Sequence, residues 1–211
     1  MPASIPKNPP RLPATNRTIA LVGLMGVGKS TVGRRLGTRL GLPFADGDDE
    51  IEQAAGMSVS EIFATMGEAG FRDGEARVMR RLLEGPPKVL ATGGGAILNP
   101  DTRALLAQHA TTVWLKADLK IVASRVQRRD TRPLLRGKDP VAALTAMAEV
   151  RYPIYALSDV TVSVGGGAHG EAVEAIVAAL MAYDAERAGL DQAPQTSLKQ
   201  NAPHQVEGSR P

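Results

Sequence analysis

Residues 23–31 read Gly23-Leu24-Met25-Gly26-Val27-Gly28-Lys29-Ser30-Thr31 and fit the pattern G-x-x-x-x-G-K-[ST]. An apolar, β-branched run at 18–22 precedes them, and a segment of helical character follows at 29–40. Glycines let backbone N–H groups turn inward around an anion, and the start of the following helix adds partial positive charge. The segment therefore predicts a strand–loop–helix unit that binds phosphate. A glycine-rich turn without a ligand is the competing interpretation.

Two side chains of this loop carry chemistry of their own. In such a motif the lysine, here Lys29, reaches the β- and γ-phosphates of a nucleotide, and the next hydroxyl, Ser30, coordinates Mg²⁺. GTPases, ATPases and small-molecule kinases all use this loop, so it predicts a nucleotide phosphate site without identifying the reaction. The reaction has to be inferred from a second site.

The chain around the loop alternates short strands with helices, which is typical of βαβ units and a parallel sheet. The predicted strands are 18–22, 43–45, 88–91, 111–115 and 160–164. The predicted helices are 29–40, 59–66, 68–83, 119–128, 141–152 and 171–187, with a capping box at 58–61. We expect one α/β domain over residues 18–188. The polar ends, 1–17 and 189–211, predict a disordered arm and a disordered tail.

Composition excludes several classes of function. The 211 residues contain no cysteine, so a disulfide framework, a thiolate nucleophile and a cysteine-ligated zinc site are excluded. No apolar run approaches the roughly 20 residues that span a bilayer, and we expect a cytoplasmic protein without a membrane partner. A net charge of +3 suits nucleic acid or an anionic substrate, but aromatic residues make up only 3%, which disfavours base stacking. No nucleic-acid partner is expected.

A pair of carboxylates, Asp46 and Asp48, follows the second predicted strand. One carboxylate would organise the water shell of magnesium, while the other would accept a hydrogen bond from a substrate hydroxyl and position it for attack. Helix capping explains the same residues, because Asp is a favoured N-cap and acidic side chains suit the first turn of a helix. The residues alone leave these two interpretations about even.

Arg72 and Glu75 lie three residues apart within a predicted helix. Arg72 is either half of a surface ion pair, which contributes little, or a bidentate clamp on a substrate carboxylate. Considered alone, the spacing favours the surface ion pair.

Three glycines at 93–95 end an apolar strand at the place where many P-loop proteins carry a Walker B aspartate, which is missing here. Bare Cα positions let a ligand approach the backbone closely, and a plain flexible turn is the alternative. Further along, arginines cluster within 125–136. They form either a loop that closes over a triphosphate or a solvated basic face, and for Arg128, Arg129 and Arg136 we favour the solvated face.

The motifs taken together resemble the shikimate kinase family over residues 18–165. They are Gly-x-Met-Gly-x-Gly-Lys-Ser-Thr at 23–31, Asp-x-Asp at 46–48, Phe-Arg-x-x-Glu at 71–75, the triple glycine, Arg-Pro-Leu-Leu at 132–135 and Arg-x-x-x-Tyr at 151–155. The resemblance implies a three-layer α/β P-loop kinase fold similar to nucleoside monophosphate kinases. A five-stranded parallel sheet, a substrate-binding helical insertion near 46–75 and a lid near 126–140 are expected.

The resemblance also implies a reaction. ATP would transfer its γ-phosphate to the 3-hydroxyl of shikimate, giving shikimate 3-phosphate and ADP, on the route to chorismate and the aromatic amino acids. A monomeric, magnesium-dependent enzyme of the cytoplasm is expected, with ATP and shikimate as its partners.

Individual residues carry over from the family by their motifs. The ATP phosphates would be wrapped by Gly26, Val27, Gly28, Lys29, Ser30 and Thr31. Ser30 would bind Mg²⁺ directly and Asp46 would hold it through water, while Arg132 would contact ATP from the lid. Asp48 and the backbone of Gly94 would meet the substrate hydroxyls, and Arg72 and Arg151 would grip its carboxylate. The catalytic residues would be Lys29, Asp48 and Arg132.

Two other functions compete with this one. A gluconate kinase would share the P-loop and the fold but would not be expected to combine Phe-Arg-x-x-Glu with the triple glycine. A regulatory nucleotide-binding module would keep the loop and lose catalysis, yet Lys29, Asp46, Asp48 and Arg132 are all present. Groups that act on a transition state are not needed for binding alone.

Overall fold

The computed structural model of the chain describes residues 17–127, 139–165 and 169–191. Nearly all of the predicted N-terminal arm and C-terminal tail, and most of the predicted lid segment near 126–140, lie outside these ranges. Within the described residues, no helix is long and apolar enough to cross a membrane.

A five-stranded, all-parallel sheet forms the centre of the fold. Its strands are β1 (Thr18–Val22), β2 (Phe44–Asp46), β3 (Val89–Ala91), β4 (Ala110–Lys116) and β5 (Val160–Ser163). They lie in the order β2-β3-β1-β4-β5, with Ile19 of β1 opposite Val89 on one side and Thr111 on the other. All five predicted strands are present, with ends shifted by at most one residue. The three-layer α/β prediction is confirmed.

Helices cover both faces of the sheet, because side chains alternate along each strand. In β1, Ile19 and Leu21 belong to one hydrophobic cluster, whereas Ala20 and Val22 belong to the other. The first cluster includes residues of α1 (Lys29–Leu40) and α7 (His169–Asp191). The second includes residues of α2 (Gly47–Ala55), α3 (Val59–Glu84), α4 (Pro100–His109) and α6 (Pro140–Tyr155). Helix α5 (Leu119–Gln127) packs against α6. β1 is therefore completely buried.

The helices largely follow the sequence, with differences at α2, for which no range was predicted, and at α4, α6 and α7. Residue 67 separates two predicted helices, and α3 is indeed interrupted there, since Gly67 has φ 69° and ψ −176°. The capping box forms between Ser58 and Glu61. Helix α4 was not predicted, although Asn99 caps it and Pro100 occupies its first turn. Helix α6 was expected to end at residue 152 but continues through Pro153 to Tyr155, and α7 extends to Asp191. Pro153 lies in the last turn of α6 and does not end the helix.

The strand order brings three loops together. β2, β3 and β1 are neighbours and run in the same direction, so their carboxyl ends lie at one edge of the sheet. The loop at 23–28, the residues after Asp46 and the triple glycine all follow those ends. Ligands of open α/β sheets bind outside the carboxyl ends of the strands. The fold thus points to this edge as the candidate site.

Candidate functional site

The loop after β1 has the backbone of a phosphate cradle. Gly23, Gly26 and Gly28 have φ values of 141°, 78° and 105°, a region that other L-residues rarely adopt. A Cβ at Gly23 would also lie 2.7 Å from the carbonyl oxygen of Leu115. The glycines are therefore required both by backbone conformation and by the close approach of β4.

Lys29 lies half-buried at the start of α1 and folds back over the loop. Its Nζ donates hydrogen bonds to the carbonyl oxygens of Gly23 at 2.8 Å and Leu24 at 3.0 Å. Gly28 precedes the helix, and within the described part of the chain no side chain caps its first N–H groups. A helix start with uncapped N–H groups and a lysine beside it is suited to an anion.

A cavity of about 460 Å³ lies beside this loop and brings together four predicted substrate residues. Asp48, Arg72, Gly94 and Arg151 all line it, although they come from α2, α3, the triple glycine and α6. Met25 of the phosphate-binding loop reaches the same cavity. The predicted phosphate loop and the predicted acceptor residues therefore border one space.

Arg72 forms the ion pair that one of the two interpretations predicted, and it also lines the cavity. Its Nη2 pairs with the exposed Glu68 at 3.2 Å, and its Nη1 pairs at 2.6 Å with Glu75, whose side chain is only 4% exposed. The guanidinium also lies against Gly95, where a Cβ would come within 2.6 Å of Nη1. Arg72 is thus half of an ion pair and at the same time a wall of the cavity.

Glu75 is a site residue to which the sequence analysis assigned no role. Burial raises the pKa of its carboxyl group, although the positive charge of Arg72 acts in the opposite direction. Among the described residues, its Oε1 has no hydrogen-bond partner. The available signals were its spacing of three from Arg72, which fits one helix face, and its place in the motif Phe-Arg-x-x-Glu.

The close approach of Glu75 to the triple glycine predicts the effect of a methyl group. A Cβ at Gly93 would overlap with Oε1 of Glu75 and lie 3.1 Å from Oδ1 of Asp48. We expect Gly93→Ala to lower kcat/KM for the acceptor roughly tenfold or more, because both carboxylates must shift. Gly74→Ala is the matched control, since no atom lies within 4 Å of its added Cβ. It should add about 0.4–1 kcal/mol of stability and keep activity. Equal kinetics for the two variants would contradict this prediction.

Arg151 and Tyr155 meet the triple glycine from α6. Nη1 of Arg151 donates to the carbonyl oxygen of Gly94 at 3.2 Å, and the hydroxyl of Tyr155 donates to the same oxygen. Arg151 is 8% exposed and Tyr155 is completely buried. The spacing Arg-x-x-x-Tyr was one of the motifs in the sequence, but no part in the site was predicted for Tyr155, which was expected only to pack in or near the core. Residues four apart lie on one helix face, which was the available signal.

Asp46 caps α2, which is one of the two interpretations that the sequence left about even. Its Oδ1 accepts a hydrogen bond from the backbone N–H of Asp48 at 3.1 Å. Burial raises the pKa of the neighbouring Asp49, and the negative charges of Asp46 and Glu52 raise it further. A cation would relieve this concentration of negative charge at the end of β2.

The residues present fit a magnesium ion that is bound mainly through phosphate and water. Among the described residues no group of three or more acidic, histidine or cysteine side chains could hold a metal. Mg²⁺ commonly uses only one or two protein oxygens together with substrate phosphates and waters. The hydroxyl of Ser30 and the carboxylate of Asp46 supply oxygen donors of that kind.

The predicted lid arginine, Arg132, and the arginines Arg128, Arg129 and Arg136 lie outside the described residues. Arg125, from the same cluster, is described and donates to the carbonyl oxygens of Val27 at 3.3 Å and Gly165 at 3.1 Å. It therefore ties α5 to the phosphate-binding loop.

Thr92 follows β3 where a Walker B aspartate was missing, and its hydroxyl donates to the carbonyl oxygen of Leu21.

Comparison with known proteins supports a kinase site. A family model described as shikimate kinase matches residues 25–181. A shikimate kinase of Caulobacter vibrioides is 62% identical over 168 residues, which cover 80% of this chain and 84% of that protein. The structure of shikimate kinase from Acinetobacter baumannii in complex with shikimate has a TM-score of 0.77 and 37% identity, covering 80% of this chain and 94% of that one. These similarities extend over sequence as well as fold.

A second kind of kinase shares the fold alone. The structure of a gluconokinase from Sinorhizobium meliloti has a TM-score of 0.54 at 19% identity, covering 84% of this chain and 98% of that one. At that level of identity the likeness does not extend to the substrate.

Proposed function

This chain belongs to the shikimate kinase family, and we propose that the cavity beside its phosphate-binding loop holds shikimate during phosphoryl transfer from ATP. The chain is an ATP-dependent kinase that acts on shikimate, giving shikimate 3-phosphate and ADP. The observation that carries the assignment of the site is the convergence of Asp48, Arg72, Gly94 and Arg151 on one cavity next to Met25 of the loop.

Two arginines are proposed to bind the carboxylate of shikimate. Arg72 and Arg151 come from different helices and both line the cavity. Arg72 is held by Glu75, while Arg151 is buried and rests on the carbonyl oxygen of Gly94. Planar guanidinium groups bind carboxylates through paired hydrogen bonds. An uncharged sugar would offer these two cations no anionic group, which favours an acidic substrate.

Asp48 is proposed to act on the hydroxyl that attacks phosphorus. It lies in the first turn of α2 and lines the cavity on the side of the triple glycine. A carboxylate there accepts the hydrogen bond of the hydroxyl, orients it toward the γ-phosphate and takes its proton. The backbone of Gly94 would contact the neighbouring hydroxyls.

The loop residues 26–31 are proposed to hold the ATP phosphates. Their backbone N–H groups and the ammonium group of Lys29 would stabilise charge on the β- and γ-phosphates. Ser30 and Asp46 would hold Mg²⁺, which when bound neutralises charge on the phosphate oxygens. The contact of Arg132 with ATP remains a prediction from the family resemblance.

The reaction is proposed to take place in the cytoplasm, where ATP is available, with a monomeric enzyme. Both properties follow from the family resemblance. Light scattering coupled to size-exclusion chromatography would give a mass near 22 kDa for a monomer.

Release of ADP with different acceptors tests the function. The purified protein is incubated with ATP and Mg²⁺ together with shikimate, with gluconate or without an acceptor. We expect ADP release that depends on shikimate and is at least a hundredfold above the other two conditions. ADP release that depends on gluconate instead would favour the gluconate kinase alternative. ADP release at the same rate in all three conditions would contradict both the shikimate kinase and the gluconate kinase assignments.

Arg72→Ala should mainly weaken the binding of shikimate. Because the guanidinium is partly exposed, at 26%, we expect a loss of about 2 kcal/mol, or roughly 30-fold in KM, with the KM for ATP little changed. The matched control is Arg81→Ala. Arg81 lies on α3, as Arg72 does, and is ion-paired to Glu50 of α2, but it does not line this cavity. If Arg72→Ala had the wild-type KM for shikimate, Arg72 would contribute only its ion pair and would not bind the substrate.

A further inference from the structure

Tyr155 occupies a buried position behind the proposed carboxylate site. It is completely buried, and its ring belongs to the same core cluster as Trp114. The ring centroids of Tyr155 and Trp114 are 5.9 Å apart. Its hydroxyl nevertheless reaches out of this core to the carbonyl oxygen of Gly94. A tyrosine held so firmly presents its hydroxyl in one position.

The same carbonyl oxygen is shared by two donors. Arg151 and Tyr155 are one helical turn apart on α6, and both donate to Gly94. A carbonyl oxygen has two lone pairs and accepts both hydrogen bonds. Arg151 is also proposed to bind the substrate carboxylate, so the carboxylate and the carbonyl oxygen of Gly94 compete for its N–H groups. Tyr155 does not line the cavity, because its ring lies in the core, so its hydroxyl is not needed for the substrate itself.

Because Tyr155 also donates to the carbonyl oxygen of Gly94, less free energy is lost when Arg151 leaves that oxygen to bind the substrate carboxylate. If the guanidinium turns toward a carboxylate, the hydroxyl of Tyr155 still pairs with the carbonyl oxygen of Gly94. Without that hydroxyl the oxygen would lose its remaining donor, and leaving a partly buried acceptor unpaired is unfavourable. Arg151 would then be retained on Gly94 and would bind the substrate less well.

The hydroxyl also restrains a flexible part of the backbone. Glycine loses more conformational freedom on ordering than any other residue, and three of them follow β3. Hydrogen bonds from the N–H groups of Ala96 and Leu98 hold the carbonyl oxygens of Gly93 and Gly95. The carbonyl of Gly94, between them, is held by side chains of α6. Fixing it before the substrate arrives reduces the entropy lost on binding.

We propose that Tyr155 is a positioning residue for shikimate, which holds the Gly94 carbonyl so that Arg151 is arranged to receive the substrate carboxylate and the triple glycine to receive its hydroxyls. The inference rests on the proposed function, because it needs Arg151 as a ligand of that carboxylate. Burial raises the pKa of Tyr155 to about 12, so the hydroxyl remains a donor throughout the working range of pH.

Tyr155→Phe isolates the hydroxyl, since it retains the ring in the core. We expect the KM for shikimate and the dissociation constant of shikimate, measured by calorimetry, to rise about five- to tenfold. This is the size of effect expected when one hydrogen bond that supports a binding site for a charged ligand is lost. The values of kcat and of KM for ATP should stay within twofold. A KM for shikimate within twofold of wild type would overturn the proposal, as would equal rises in both KM values.

Tyr152→Phe is the matched control for a general effect on the aromatic cluster. Tyr152 lies on the same helix, and its ring centroid is 5.1 Å from that of Trp114. Within the described ranges its hydroxyl makes no hydrogen bond to Gly94. It should bind shikimate as the wild type does. The same loss of shikimate binding in both variants would reduce Tyr155 to a packing role.

A double variant tests whether Tyr155 acts through Arg151. In an Arg151→Lys background, where the planar guanidinium is absent, removal of the Tyr155 hydroxyl should raise the shikimate dissociation constant by less than threefold. The same five- to tenfold cost in both backgrounds would show independent effects and contradict the coupling.

The wild-type protein separates failure of this inference from failure of the proposed function. If it releases no ADP with shikimate, the function is wrong whatever the variants do. If it is active and Tyr155→Phe has a wild-type KM for shikimate, only the positioning role is wrong.

Discussion

Lys29→Met is expected to lower kcat for phosphoryl transfer by roughly 10²–10³-fold while the protein remains folded. Methionine retains much of the length of lysine but has no charge to stabilise the transferring phosphoryl group. The loss should fall on kcat more than on the KM for shikimate, because Lys29 belongs to the loop and not to the wall formed by Arg72 and Arg151.

The structure also predicts what happens to stability in this variant. Lys29 donates to the carbonyl oxygens of Gly23 and Leu24, and both bonds disappear. Because the side chain is only half-buried, water can take over part of this pairing, and we expect the melting temperature to fall by a few degrees at most. Circular dichroism and thermal melting would verify the fold.

Arg35→Met serves as the matched control for Lys29→Met. Arg35 is an exposed cation on the same helix, and no ion pair involving it occurs among the described residues. It should keep kcat within twofold. If a well-folded Lys29→Met variant retained more than a tenth of the wild-type rate, the assignment of the loop to the γ-phosphate would be wrong.

Asp48→Asn should lower kcat by roughly 10²–10⁴-fold and change the KM for shikimate much less. Asparagine retains the size of the side chain and some hydrogen bonding, but it cannot take the proton of the attacking hydroxyl. The position supports this division, because Asp48 lines the cavity beside Gly93 and Glu75 at the carboxyl end of the sheet.

Asp73→Asn provides the comparison for Asp48→Asn. Asp73 is an exposed carboxylate within the segment 71–75, between Arg72 and Glu75, and it does not line the cavity. It should have wild-type kinetics. A rise in KM alone for Asp48→Asn would make Asp48 a binding residue without a part in proton transfer. Together with Arg72→Ala, the pair distinguishes loss of the chemical step from loss of carboxylate binding.

Local patterns were sufficient for the elements around the phosphate loop. The strand at Thr18–Val22 and the helix at Lys29–Leu40 have the predicted ends, since glycines and the change of periodicity mark both. The break at Gly67 and the cap at Ser58 were predicted for the same reason. Helix α4 escaped prediction because its apolar residues show little periodicity over one short segment, even though Asn99 and Pro100 are favourable at its start.

The residues of the candidate site could be named from motifs, but their partners could not. Arg72 was left between an ion pair and a ligand clamp, and the structure has it paired with the buried Glu75 while it also lines the cavity. A spacing of three predicts contact within a helix but carries no information about burial. Burial depends on which elements pack over that helix face.

The sequence by itself determined the fold class and the family, and it named four residues that line the cavity, because these depend on local spacing and on motifs in a fixed order. Only the tertiary structure decided that Asp48, Arg72, Gly94 and Arg151 border one space, and that Tyr155 reaches Gly94 across 61 residues of chain. Such contacts arise from the strand order β2-β3-β1-β4-β5 and from the packing of α6 on the sheet. The free energy of that packing is a sum over residues distant in sequence, so no local pattern encodes it.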